Sequence, residues 1–150
     1  MREPAKSTIV FASDHGGVIL RKILQEEARL ANYIVEDCGV HSSTAVDYPV
    51  QVSIAAEAFL RLKAKYLVLI CGSGIGVSMA ANRNPKLRAV VAANTLQAQL
   101  SREHNHANCL CLGERLTSVE LAKEIFYCFI NTEPDLSERH CRRVAKLENV

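Results

Sequence analysis

Cys71 is the residue that points first to chemistry. The apolar run 66–70 leads into it, and Gly72-Ser73-Gly74-Ile75-Gly76 follows. Glycines at alternate positions, then the apolar stretch 77–81, read as strand, tight turn and helix. Such a turn gathers backbone N–H groups where an anion is favoured. A cysteine at its mouth sits where a thiolate is favoured. One stretch therefore offers a base or nucleophile together with donors for an oxyanion. The competing reading is a plain turn beside an inert, buried thiol. Two phosphate motifs are excluded: Val77 stands where a dinucleotide fingerprint needs glycine, and no Gly-Lys-Ser/Thr follows.

Other polar groups are spaced for a site. Asp14 and His15 precede Gly16-Gly17, a pattern that equally suits a helix N-cap beside a solvated histidine. His104, Asn105 and His106 form a dense cluster, although histidine near a helix C-terminus is common for dipole reasons alone. Arg139 and Arg143 stand four apart and share a helix face. They form either a solvated basic face or an anion clamp, for which guanidinium geometry is suited. His104 and His106 could join Cys109 and Cys111 around a metal. That spacing fits no familiar zinc pattern, and two cysteines alternating on a buried strand need only core packing.

These residues need a scaffold. Apolar runs at 8–12, 33–36, 66–70, 88–93 and 108–112 read as strands. Helical spacing follows 17, and helices are expected over 49–63, 77–81, 95–102, 119–129 and 137–148, with 103–106 as a polar exit. In the helix from Pro49, the residues Val50, Ile54, Phe59 and Leu62 form the expected apolar side. Strands alternating with helices, and apolar throughout at the centre, argue a parallel sheet covered on both faces. Right-handed crossovers then put Asp14-His15, Asp47-Tyr48 and the Cys71 turn on one rim.

A chain of 150 residues is one domain by size. A net charge of +2, with 5% aromatic residues and no tryptophan, excludes an extended nucleic-acid surface. No apolar run reaches the roughly 20 residues of a membrane span, and the N-terminus has no signal-peptide core. Six cysteines without a CxxC pair fit reduced thiols and a cytoplasmic protein.

The motifs Ala12-Ser13-Asp14-His15-Gly16-Gly17, Asp47-Tyr48-Pro49, Cys71-Gly72-Ser73-Gly74-Ile75-Gly76, Ser101-Arg102-Glu103-His104-Asn105 and Arg139-His140-Cys141-Arg142-Arg143-Val144 together resemble type B ribose-5-phosphate isomerase, in that family's order, over about residues 8–148. The resemblance implies a Rossmann-like three-layer α/β/α sandwich with a five-stranded parallel sheet. The single isomerase domain would span 1–150, with 1–7 as an N-terminal extension and 137–150 as a C-terminal helix. It implies aldose–ketose isomerisation of a sugar phosphate in pentose phosphate metabolism, with no metal or organic cofactor. It further implies a homodimer or homotetramer with interfacial active sites, and no nucleic-acid or membrane partner.

Carried over by motif, Cys71 is the base between C2 and C1, and the backbone from Gly72 through Ser73, Gly74 and Ile75 to Gly76 holds the enediolate oxygens. His104 assists ring opening, with Ser73 and Asp14 nearby. Asn105 and Arg115 contact substrate, and His15, Arg139 and Arg143 surround the phosphate. Ser73 replaces a common threonine, His106 a common aspartate and Arg83 a common lysine. Cys71 places the chain with the cysteine-based branch rather than with members using a glutamate base. The alternatives are an allose- or galactose-6-phosphate isomerase, a non-catalytic sugar-phosphate sensor, and a nucleotide-binding module.

Overall fold

The computed structural model describes residues 5–150; the first four residues of the expected N-terminal extension lie outside them. Five strands form one all-parallel sheet: β1 (Thr8–Ser13), β2 (Ile34–Asp37), β3 (Tyr66–Cys71), β4 (Ala89–Val91) and β5 (Cys109–Gly113), in the order β2-β1-β3-β5-β4. This is the expected α/β/α architecture, with every strand boundary within a residue or two of its sequence estimate. β1, β3 and β5 are buried along nearly their whole length, as continuous apolar runs flanked by strands require. β4 is shorter than the expected 88–93 and only half-buried, because it closes the sheet edge.

Among the described residues five helices cover the sheet, α1 (Val18–Leu30), α2 (Tyr48–Arg61), α3 (Ile75–Ala81), α4 (Thr95–Asn105) and α5 (Val119–Asn131), and a sixth, α6 (Glu138–Leu147), packs on α4. On one face Leu20, Leu24 and Ala28 of α1, Ala98 of α4 and Ile125, Phe126 and Phe129 of α5 pack on Ile9, Phe11, Val68 and Leu110. The step from edge strand β4 back to β5 reverses the direction of travel, so a right-handed crossover carries α4 to the α1 side. On the other face α2 and α3 stand alone.

The α2 stripe is a correction. Val52, Ala55, Ala56, Ala58 and Phe59 face the sheet, while Val50, Ile54 and Leu62 are exposed. Small side chains let the helix approach the strands closely, which outweighs the larger apolar residues on the opposite side. Val50 (55% exposed), Ile54 and Leu60 of α2 and Met79 (65%) of α3 are consequently exposed apolar side chains.

α4 also departs from expectation, continuing through His104 and Asn105. It stops at His106, which adopts φ +49° in the left-handed region. Arg102 fixes that last turn: its guanidinium is buried, donates to the Thr132 carbonyl (3.1 Å) and to the Ala107 carbonyl, and lies over the rings of Tyr66 and Phe129. A second buried arginine, Arg21, lies beneath Gly39. It binds Ser13 Oγ, the Val40 carbonyl and Asp37 (3.2 Å), holding the start of the loop that leads to Tyr48.

Two clefts at opposite sheet edges

The turn after β3 is built by glycine. Gly74 has φ +78°, and a Cβ there would stand 2.9 Å from the Leu112 carbonyl carbon. Both the left-handed conformation and the close approach of β5 exclude a side chain. Gly74→Ala is expected to cost about 1–3 kcal/mol of stability, read from the urea midpoint, because strain and contact act together.

Held this way, the Gly74 N–H donates to Cys71 Sγ at 3.1 Å and the Ile75 N–H to Ser73 Oγ at 3.2 Å. Two of the turn's amides thus already have partners within the turn, and Cys71 is buried at 5% exposure. The thiol opens on a cleft of about 330 Å³ lined by Asp14, Tyr48, Cys71, Gly72, Ser73, Gly76, Arg115 and Leu116. Asp14 does cap the 3-10 turn His15–Gly17, its Oδ1 accepting the Gly16 N–H at 2.8 Å. It lines the cleft as well, so both sequence readings of Asp14 apply.

Tyr48, to which sequence reasoning gave no site role, packs against Gly76. A Cβ on Gly76 would lie 2.8 Å from its Cζ. Its signal was present in Asp47-Tyr48-Pro49, on the expected rim. Arg115 follows β5; its N–H donates to the Gly72 carbonyl (3.1 Å) and its guanidinium covers Gly72. His15 does not line this cleft; its Nδ1 accepts the Val46 N–H at 3.3 Å.

His104 and Asn105 lie elsewhere. α4 starts beyond the C-terminal end of β4 and finishes before the N-terminal end of β5. Its last turn therefore sits at the sheet edge opposite to Cys71. There His104, Asn105, His140, Arg143, Val144 and Leu147 line a second cleft of about 310 Å³. Arg139, one turn before Arg143 on the exposed side of α6, does not line it. One chain thus brings Cys71, Asp14, Ser73 and Arg115 together and His104, Asn105 and Arg143 together, but does not join the groups.

The Cys109 and Cys111 sulfurs are 3.9 Å apart with both residues fully buried. Burial first, and then Cys109, pushes the Cys111 thiol well above its ordinary range, as suits a core thiol. Among the described residues, no three His, Cys, Asp or Glu side chains are grouped to hold a metal ion, and no helix is long and apolar enough to cross a membrane.

Comparison with known proteins gives concordant findings. A family model described as Ribose/Galactose Isomerase matches residues 9–147. Ribose-5-phosphate isomerase B of Escherichia coli is 38% identical over 136 residues, covering 91% of each chain. D-erythrulose-4-phosphate isomerase 2 of Mycolicibacterium smegmatis is 38% identical over 132 residues, covering 85% of this chain and 86% of its own. The solved structure of Clostridium thermocellum ribose-5-phosphate isomerase B superposes with a TM-score of 0.91 at 39% identity, covering 95% of each chain.

Proposed function

Because the chain belongs to the ribose/galactose isomerase family, and is thus an aldose–ketose isomerase, we propose that it interconverts ribose 5-phosphate and ribulose 5-phosphate. The observation that carries this reading is the cleft where the Cys71 thiol, the Asp14 carboxylate and the glycine turn converge. A proton α to a carbonyl is weakly acidic, and its removal needs a placed base and a stabilised oxyanion. In the proposed reaction the Cys71 thiolate takes the C2 proton of open-chain ribose 5-phosphate. The electron pair moves to the carbonyl oxygen, giving an enediolate held by amides of the turn. A proton passes from the C2 hydroxyl to O1, and as the thiol returns its proton to C1 the electron pair on O2 forms the C2 ketone.

Ring opening comes first. His104 donates to the ring oxygen as its bond to C1 breaks, and Asp14 accepts the proton of the anomeric hydroxyl. His104 stands at the far edge of its own chain, so the site is completed by a second copy, whose His104, Asn105 and Arg143 face the first copy's Cys71. The exposed apolar side chains Val50, Ile54, Leu60 and Met79 support such an assembly, since exposed apolar surface is what a contact between copies covers. The single domain, the homo-oligomer and a cytoplasmic location are parts of the same reading.

Ribose 5-phosphate, D-erythrulose 4-phosphate, allose 6-phosphate and galactose 6-phosphate assayed side by side test it. The largest kcat/KM is expected for ribose 5-phosphate, and a larger value for any other would reassign the substrate.

The phosphate is remote from C1 and C2, so its contacts serve ground and transition states alike. Arg143→Ala should raise KM about 10- to 100-fold, equivalent to one charge-assisted hydrogen bond, with kcat nearly unchanged. Arg139→Ala should raise it less, because Arg139 lies off the cleft. Unchanged KM in both variants would make the pair a solvated face and move the phosphate toward His15 and Arg115.

A further inference from the structure

His140 has no part in the reaction as written above. It is 4% exposed on α6, and its ring lies flat on that of His104, with centroids 4.4 Å apart and planes 9° from parallel. Among the described residues its buried Nε2 has no hydrogen-bond partner, and Asp135 Oδ2 lies 3.5 Å away. Asp135 belongs to a clamp between α4 and α6. Its N–H donates to the Glu103 carbonyl (3.0 Å), its own carbonyl accepts His106 Nε2–H (2.8 Å), and its Oδ1 accepts the Ser137 N–H (2.8 Å). The two stacked rings are seated on this clamp.

The groups facing His140 are His104 from α4, Asp135 from the loop, and Arg139 and Arg143 from its own helix. Burial first, then His104 and the two arginines, pushes its imidazole below the ordinary range, with Asp135 opposing. The lowered value favours the neutral form of the His140 ring at neutral pH.

We propose that His140 is a positioning residue for His104: its buried ring is the flat support that fixes the plane in which the His104 imidazole faces the second cleft. The inference rests on the reading of His104 as the ring-opening group. Proton transfer to a ring oxygen requires an N–H aimed along one line, and an imidazole free to turn about χ2 misses that line for much of the time. A stacked, uncharged neighbour removes the freedom without competing for the proton. Among the described residues the buried Nε2 makes no hydrogen bond, so the support offered to His104 is the stacked ring face.

Three variants, His140→Ala, His140→Phe and His140→Asn, test it beside His104→Asn. Each is assayed for ribose 5-phosphate isomerisation and for solvent exchange of the C1 proton of ribulose 5-phosphate. Ribulose 5-phosphate cannot close a furanose through its phosphorylated O5, so exchange bypasses ring opening and also reports a folded Cys71 site. His140→Ala should lower kcat for ribose 5-phosphate about 10- to 100-fold, the usual penalty for a misaligned group, with KM and exchange little changed. His140→Phe, which keeps a flat ring, should recover most of the loss, and His140→Asn little of it. If the alanine variant does not fold, the Phe and Asn pair decides the matter alone. Parent-like turnover in both, equal loss of exchange and isomerisation, or better rescue by Asn than by Phe would overturn the support role. Equal loss of the two activities in His104→Asn would instead overturn the ring-opening reading, and the support role with it.

Discussion

Cys71→Ala is expected to lower kcat for ribose 5-phosphate by roughly 10²- to 10⁴-fold, the share a positioned base supplies, while the chain still folds. The substitution removes one buried sulfur and the single hydrogen bond it accepts from Gly74. It leaves β3, the turn and Asp14 in place, and Cys71 borders an open cleft, so the unfolding midpoint should move less than when an enclosed thiol is removed. KM should also move little, because the thiol contributes to proton transfer rather than to holding the phosphate. Cys111→Ala is the contrast. That thiol is fully buried, so its loss should cost on the order of 1–2 kcal/mol of stability and leave kcat close to the parent value. Steady-state kinetics with a urea titration on each variant check both. Near-parent turnover in folded Cys71→Ala would end the mechanism proposed above.

Mixing two inactive variants should restore activity. In a dimer whose sites take Cys71 from one copy and His104 from the other, a hybrid of Cys71→Ala and His104→Asn has one doubly defective site and one intact site. Random exchange makes half the dimers hybrid, so ribose 5-phosphate turnover should return to about one quarter of the parent value, and neither variant alone should approach it. The expectation follows from chain direction: α4 descends from the end of β4 to the start of β5, so its last turn cannot reach the end of β3 in the same chain. Activity that stays at the level of the separate variants, after exchange has been verified by size or mass tags, would exclude a shared site.

Much of the scaffold was legible in the sequence because it is written in continuous apolar strands. β1, β3 and β5 are unbroken runs without charge, Gly113 closes β5, and Pro49 marks the first turn of α2, as expected. The face of α2 was not legible. Val50 and Ile54 are more hydrophobic than Ala55 and Ala56, but helix-to-sheet distance selects for size, and the larger side chains were left outside. The end of α4 was missed because its C-cap is His106 in the left-handed region, where glycine would have announced the stop. At the site, Cys71 and its turn could be read directly. The separation of His104 from Cys71 was implicit in the alternation of strands and helices. His140 was legible, because it shares one side of the last helix with Val144 and Leu147, and it is buried there with Val144; Arg102, one turn after Ala98, shows its burial only in the structure.

The strand order has a consequence for synthesis. β4 pairs with β5 alone, and β5 also fills the place beside β3. As the chain leaves the ribosome, β1, β2 and β3 can join, but β4 emerges with nothing to pair with. The flank of β3 stays open until residue 113 is released. A nascent chain halted between residues 91 and 109 would expose that flank and the unpaired β4, both templates for association with other chains. Completion of the sheet and closure of the Gly74 turn against β5 are therefore one late event, and the interval before it is when the growing chain is most exposed to aggregation.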